Sequence, residues 1–248
     1  MSSTSETGHA KNVANFASLI AFIAGYGTAY NPSKAALKPA AMKSQLATVS
    51  DALQKVNTAF AAHKNAVNTR AVAFRIMGRL TTRVFNALRA TGTSVQVVEN
   101  ALFLVRKLRG NRAGAKLSDQ EKADLASEGK EIKEISSSQT SFDSRLENFD
   151  KLIKLLSTIP QYTPNETDLK VTALIEFHND LNTKNIGVIN PSTTLSNARI
   201  ARDKLLYQPG SGLLDTVMSA KNYIKSVYGV NSPQFKQVAG IEFKYIRI

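Results

Sequence analysis

The side chains most able to do chemistry in this sequence are a row of arginines. Arg75, Arg79 and Arg83 recur every fourth residue, so on a continuous helix they stack on one face beside Ile76, Leu80, Val84 and Leu88. Like charges at that spacing cost a few tenths of a kcal/mol per pair, and interleaved glutamates would avoid the cost; an anionic partner would offset it. The same stretch continues with Arg89, Arg106, Lys107, Arg109, Arg112 and Lys116, so residues 75–116 hold nine basic side chains against Glu99 alone. These nine are the candidate polyanion-binding set. The bland alternative is a solvated face of an amphipathic helix. No helix-turn-helix, zinc-finger or RNA-binding signature accompanies the charge, so contact with nucleic acid would be to phosphates, salt-sensitive and weakly selective for sequence.

Other reactive constellations are sparse. The three histidines are His9, His63 and His178, and Glu176, His178 and Asp180 are the nearest approach to a ligand set. Residues two apart on a helix face different ways, so only Glu176 and Asp180 lie together. There are no cysteines, which removes disulfides, thiolate nucleophiles and Cys-based metal sites. Carboxylates in 119–150 alternate with Lys122, Lys130, Lys133 and Arg145 as on a solvated helix face. Pro209-Gly210-Ser211-Gly212 matches neither a phosphate-cradling loop nor a dinucleotide fingerprint. The expectation is a protein that is not an enzyme and uses no cofactor or metal.

The elements that must position the arginines read as helices throughout. The chain has 248 residues, 43% of them hydrophobic, enough for a substantial core. Three segments carry apolar residues in 4-3 spacing, the signature of a coiled-coil-like seam. The first runs through Met42, Leu46, Val49, Leu53, Val56, Phe60, His63 and Val67, and the second through Ile135, Phe142, Leu146, Phe149, Ile153 and Leu156. The third has a weaker seam through Leu174, Leu181 and Val188. Ser118-Asp119-Gln120-Glu121 and Thr163-Pro164-Asn165-Glu166 read as capping boxes opening the second and third. Taken as 33–76, 119–158 and 165–207, each rod would be about 60 Å long, with Pro191 kinking or splitting the third after Asn190. Shorter amphipathic pieces follow at 80–90, 94–109, 212–228 and 232–239. Residues 241–245 alternate like a short strand, with an extended tail as the alternative.

Offset by 132, the two halves pair Tyr30 with Tyr162, Pro32 with Pro164, Leu37 with Leu169, Arg70 with Arg202 and Gly78 with Gly210, among ten identities over 30–78. This divides the chain into a polar leader and apolar helix (1–29), a first repeat (30–116), a connecting long helix (117–161) and a second repeat (162–248). The fold expected is an all-α, elongated bundle of three long helices with internal duplication, its short helices clustered at one end. That end would gather 75–116 with Lys221, Lys225, Lys236, Lys244 and Arg247, so that +11 of the formal +13 forms a basic head on a nearly neutral stalk. Tyr207, Tyr223, Tyr228, Phe235, Phe243 and Tyr245 lie in the same head, either stacking on bases or closing a small core.

The apolar stretch Phe16 to Tyr30 is too short and too interrupted to span a bilayer, and no convincing cleavage site follows it, so the expected location is cytoplasmic. Val13-Ala14-Asn15-Phe16 through Ser33-Lys34, Ser196 to Arg202, Tyr223 to Gly229 and Ser232 to Val238 resemble a family of uncharacterised bacterial helical proteins over nearly the whole chain. That resemblance implies an all-helical fold and carries no function, cofactor or catalytic residue with it. Pro191 departs from it, since the equivalent place in such sequences reads as unbroken helix. The function expected is a non-catalytic interaction protein whose basic end docks on a polyanion, with nucleic acid or another acidic surface as partner. The alternatives are a self-assembling subunit of an oligomer, filament or sheath, and a membrane-interacting helical protein.

Overall fold

The structure is a computed structural model that describes residues 7–110, 120, 123, 124, 127 and 140–246. Within them the fold is all-α. The helices are α1 (Thr7–Gly25), α2 (Pro39–Arg89), α3 (Val95–Arg109), α4 (Phe142–Ser157), α5 (Val171–Ile186), α6 (Ile189–Tyr207), α7 (Leu213–Tyr228) and α8 (Pro233–Ala239). Of the expected middle rod's opening box only Gln120 is described, and the rod is not continuous over 119–158: Thr140 and Ser141 are not helical, and Ser141 caps α4 by accepting from the Ser144 N–H.

Several boundaries differ from expectation for identifiable reasons. The first rod and the piece after it are one helix of 51 residues, α2, with proline at its first position. Gly78 does not break it: the roughly 1 kcal/mol that glycine costs mid-helix is outweighed by burial of Phe74, Met77, Leu80 and Val84 around it. The helix ends before Gly92, whose φ of 71° is a left-handed turn that glycine adopts without strain. Thr163–Glu166 does not cap a helix. A 3-10 turn, Thr167–Leu169, intervenes, and α5 starts after an extended Lys170. The third rod splits at Gly187–Val188, earlier than expected, and Pro191 sits third in α6, where the missing N–H has no helical partner to lose.

No strand occurs among the described residues. Residues 241–246 form an extended tail held by helix side chains in place of a ladder: Asn12 Nδ2 donates to the Lys244 carbonyl at 2.7 Å, and the Lys244 N–H donates to Asn12 Oδ1 at 3.0 Å. The half-buried residues of the tail are Ile241, Phe243 and Ile246, so the alternation reports contact with α1 and its neighbours.

The chain divides into two compact units, unit 1 from 1–64 and 190–248 and unit 2 from 65–189. They cut across the sequence repeats, because each takes helices from both halves. Unit 1 is built on Phe16, Leu19 and Ile23 of α1, Met42 and Val49 of α2, and Leu206, Leu213, Val217 and Ile224 from the C-terminal helices. Unit 2 is built on Phe74, Met77, Val84 and Leu88 of α2, Val105 and Leu108 of α3, Phe149, Leu152 and Leu156 of α4, and Leu174 and Leu181 of α5.

The two cores share a template. Val13, Phe16, Leu19, Ile20 and Ile23 are buried along α1 at the spacing of Leu146, Phe149, Leu152, Ile153 and Leu156 along α4. A buried tyrosine follows in each case. Tyr30 donates its hydroxyl to the Leu37 carbonyl at 3.0 Å and Tyr162 to the Leu169 carbonyl at 2.9 Å, each across a loop that ends in a 3-10 turn. Burial pushes both phenols up to about 12, so each stays a donor at neutral pH.

Candidate polyanion-binding cleft

The two basic segments belong to different units, 75–110 to unit 2 and the C-terminal lysines to unit 1. The site described below is built from unit 2's share. There α2 contributes Ala71, Phe74, Arg75 and Gly78, the end of α3 contributes Leu108 and Arg109, and Thr140, Phe142 and Arg145 close the far wall. Together they line an open cleft of about 460 Å³. Three arginines face this space, and among the described residues no carboxylate lines it.

Two of these guanidinium groups, those of Arg145 and Arg109, are oriented by neutral contacts. Arg145 donates from Nη2 to the Phe74 carbonyl at 2.8 Å and lies 5.3 Å from the centre of the Phe74 ring. Its Nε is buried without a hydrogen-bond partner, and burial lowers its pKa from the usual arginine range. Arg109 donates from Nη2 to Thr82 Oγ1 at 2.6 Å. Phe142 is wedged edge-on against Phe74 at 4.7 Å between ring centres, with the Arg70 guanidinium 4.1 Å from its own ring centre. Arg70 in turn donates to Asn185 Oδ1, which places the nearby Asp143 on Asn185 Nδ2 at 2.7 Å. Among the described residues no carboxylate forms an ion pair with Arg75, Arg79, Arg109 or Arg145.

Of the nine predicted side chains, the structure brings Arg75 and Arg109 together, with Arg79 exposed one turn along α2. Arg83 is engaged by the Asp168 carboxylate through both terminal nitrogens and lines a different cleft, with Tyr162 and Glu166. Arg89 is exposed and lies 6.0 Å from the Phe85 ring centre. Arg106 is exposed on α3, while Lys107 lies 4.4 Å from the Phe103 ring centre. Arg106, Lys107 and Arg109 occupy the last turn of α3, where cations complement the helix dipole by about 0.3–1 kcal/mol each; that accounts for part of the basic run without any ligand. Arg112 and Lys116 lie outside the described residues.

Arg145 is the member that sequence reasoning passed over. It sits in a run of alternating charge, but it directly precedes buried Leu146 and follows Phe142 by three residues, which puts it on the flank of the buried stripe. The histidines do not assemble a metal site: no group of three His, Asp or Glu residues among those described is placed to hold an ion. His178 tilts against Phe149, and Asp180 pairs with Lys184. His9 is buried with its Nδ1 2.8 Å from the Tyr207 hydroxyl. No described helix is long and apolar enough to cross a membrane, and α1 buries Val13, Phe16, Leu19, Ile20 and Ile23 in unit 1. Comparison with protein-family models, curated proteins and solved structures finds no match to this chain.

Proposed function

We propose that this is a non-catalytic interaction protein that docks through unit 2 on a polyanion, with nucleic-acid phosphates as its partner. The observation that carries this reading is the convergence of Arg75, Arg109 and Arg145 from three helices on one cleft, with no carboxylate among the described residues that line it. Charge held that way is costly to the free protein, and an anion recovers the cost. Contact would be to the backbone and blind to sequence. Three neutralised phosphates predict a log–log salt slope of about −2.7 on duplex DNA. Fluorescence anisotropy of labelled DNA and RNA across a salt series tests it. Arg75→Glu and Arg109→Glu should each flatten the slope by about one, whereas Arg83→Ala should leave it unchanged. Absence of binding to either polymer at low salt rejects the proposal.

We also infer that the halves arose by duplication of one helix–loop–helix template. The matched burial along α1 and α4 and the paired Tyr30 and Tyr162 loops support this. A cytoplasmic location is part of the same reading, consistent with a partner of nucleic-acid type.

A further inference from the structure

The Tyr30 and Tyr162 loops face different walls. In unit 1, α7 sets Tyr223 against the ring of Tyr30, edge-on, with 5.2 Å between ring centres. In unit 2 the facing wall comes from α2. The two helices share a burial register, since Met77, Leu80, Val84 and Leu88 are buried at the spacing of Leu213, Thr216, Ala220 and Ile224. In that register Asn86 matches Asn222, and Ala87 stands where unit 1 has Tyr223. A ring in one unit is thus reduced to a methyl group in the other. Beside it lies an open cleft of about 570 Å³, with Ala87, Ala90 and Tyr162 in its lining.

A ring entering this space meets a polar rim. Asn86, Gln161 and Asn165 are exposed there, and each amide pairs a donor with an acceptor, the pattern that asparagine and glutamine use on the edge of a base. Among the described residues the lining carries one cation and one carboxylate, Arg83 and Glu166, and Arg83 is already engaged by Asp168. Ala90 and Thr91 add the carbonyl end of α2, whose dipole disfavours anions. These surroundings suit a neutral planar ring that carries both donors and acceptors; a phenyl ring would leave the amides unused. We infer that this cleft is a binding site for a nucleobase, presented by a free nucleoside or by an unpaired nucleotide of a strand, in the place beside Tyr162 that Tyr223 takes beside Tyr30. It shares no lining residue with the basic cleft, so it stands or falls independently of phosphate docking there.

Saturation-transfer NMR of the full chain with adenosine, guanosine, cytidine and uridine at millimolar concentration tests this. At least one nucleoside should receive saturation on its base protons. Ala87→Tyr, which restores the ring found in unit 1, should abolish that signal while the melting temperature holds or rises. Asn86→Ala should weaken the affinity about fivefold. Arg75→Glu should leave it unchanged, so loss of the basic cleft and loss of this site are read separately. Should circular dichroism show Ala87→Tyr unfolded, Ala90→Tyr blocks the same wall from an exposed position. Competition by a short single strand of the preferred base, measured on the Arg75→Glu, Arg109→Glu double variant, separates the two sources: displacement tighter than by the nucleoside assigns an unpaired base in a strand, and weaker displacement assigns the free nucleoside. Saturation of none of the four nucleosides overturns the inference, as does a signal that survives the added tyrosine or ignores Asn86→Ala. So does saturation of N-acetyltyrosinamide alone, which would make the occupant an aromatic side chain of a protein.

Discussion

Asn12 and Arg145 occupy the same place in the two units, each directly before the first residue of a matched buried stripe on α1 and α4. In unit 1 the short neutral amide grips an extended segment of the chain and closes the surface over it. In unit 2 the guanidinium reaches a backbone carbonyl, keeps its Nε buried, and lines an open cleft with Arg75 and Arg109. A shared apolar frame thus carries a covered face in one unit and a charged, accessible one in the other. The difference is made by polar residues at the edge of the stripe, while the stripe itself is held constant.

The comparison breaks most decisively at the frame. Phe16→Ala and Phe149→Ala each remove a fully buried ring, and each should cost about 3–5 kcal/mol in denaturant unfolding. Hydrogen exchange should accelerate mainly within the unit that carries the substitution; equal acceleration in both would show that the two cores are not separate. Exchanging the edge residues comes next. Asn12→Arg buries a cation at a position only 2% exposed and should destabilise by about 2–3 kcal/mol, whereas Arg145→Asn should leave the melting temperature within a few degrees and weaken polyanion binding.

Alkaline titration sharpens the comparison further. Burial raises the folded pKa of Tyr30, Tyr162 and Tyr207 to about 12 from an ordinary value near 10. The unfolded chain therefore loses these protons first, and the stability they contribute is complete below pH 10 and lost as pH rises towards 12. Phenolate absorbance should appear together with loss of helix in that window; titration of all the tyrosines near pH 10 with the helices intact would contradict it. The smallest effect is the loop hydroxyl. Tyr30→Phe and Tyr162→Phe each remove one buried hydrogen bond and should cost about 1 kcal/mol, equal within error if the two loops are equivalent.

What was legible in the sequence is what local physics controls. Of the first seam, Met42, Val49 and Val56 are buried, Leu46, Leu53, His63 and Val67 are half-buried and Phe60 is exposed, and the apolar N-terminal segment packs in its own chain. Pro191 was over-read because its cost depends on position, since a proline in a first turn loses no hydrogen bond, and Gly78, flanked by large buried side chains, stays helical where the first rod was expected to have ended at 76. The Thr163 box failed because the Tyr162 hydroxyl and the 3-10 turn organise that loop first. The partners of Arg83 and Arg145 are ones that spacing along one helix cannot reveal. Asp168 meets Arg83 from 85 residues away, and the Phe74 carbonyl draws Arg145 inward from 71 away. The interleaving of the two halves into compact units is likewise a matter of long-range packing, invisible to any local pattern.

That interleaving bears on the order in which the protein can be made. Residues 65–189 form a contiguous stretch and can collapse as soon as they leave the ribosome. Phe16, Leu19, Ile20 and Ile23 emerge much earlier, yet many of the side chains that cover them lie beyond residue 205. Until those residues are made, the nascent chain carries an apolar helix that is only partly covered, the form in which it is most open to chaperones and to premature association.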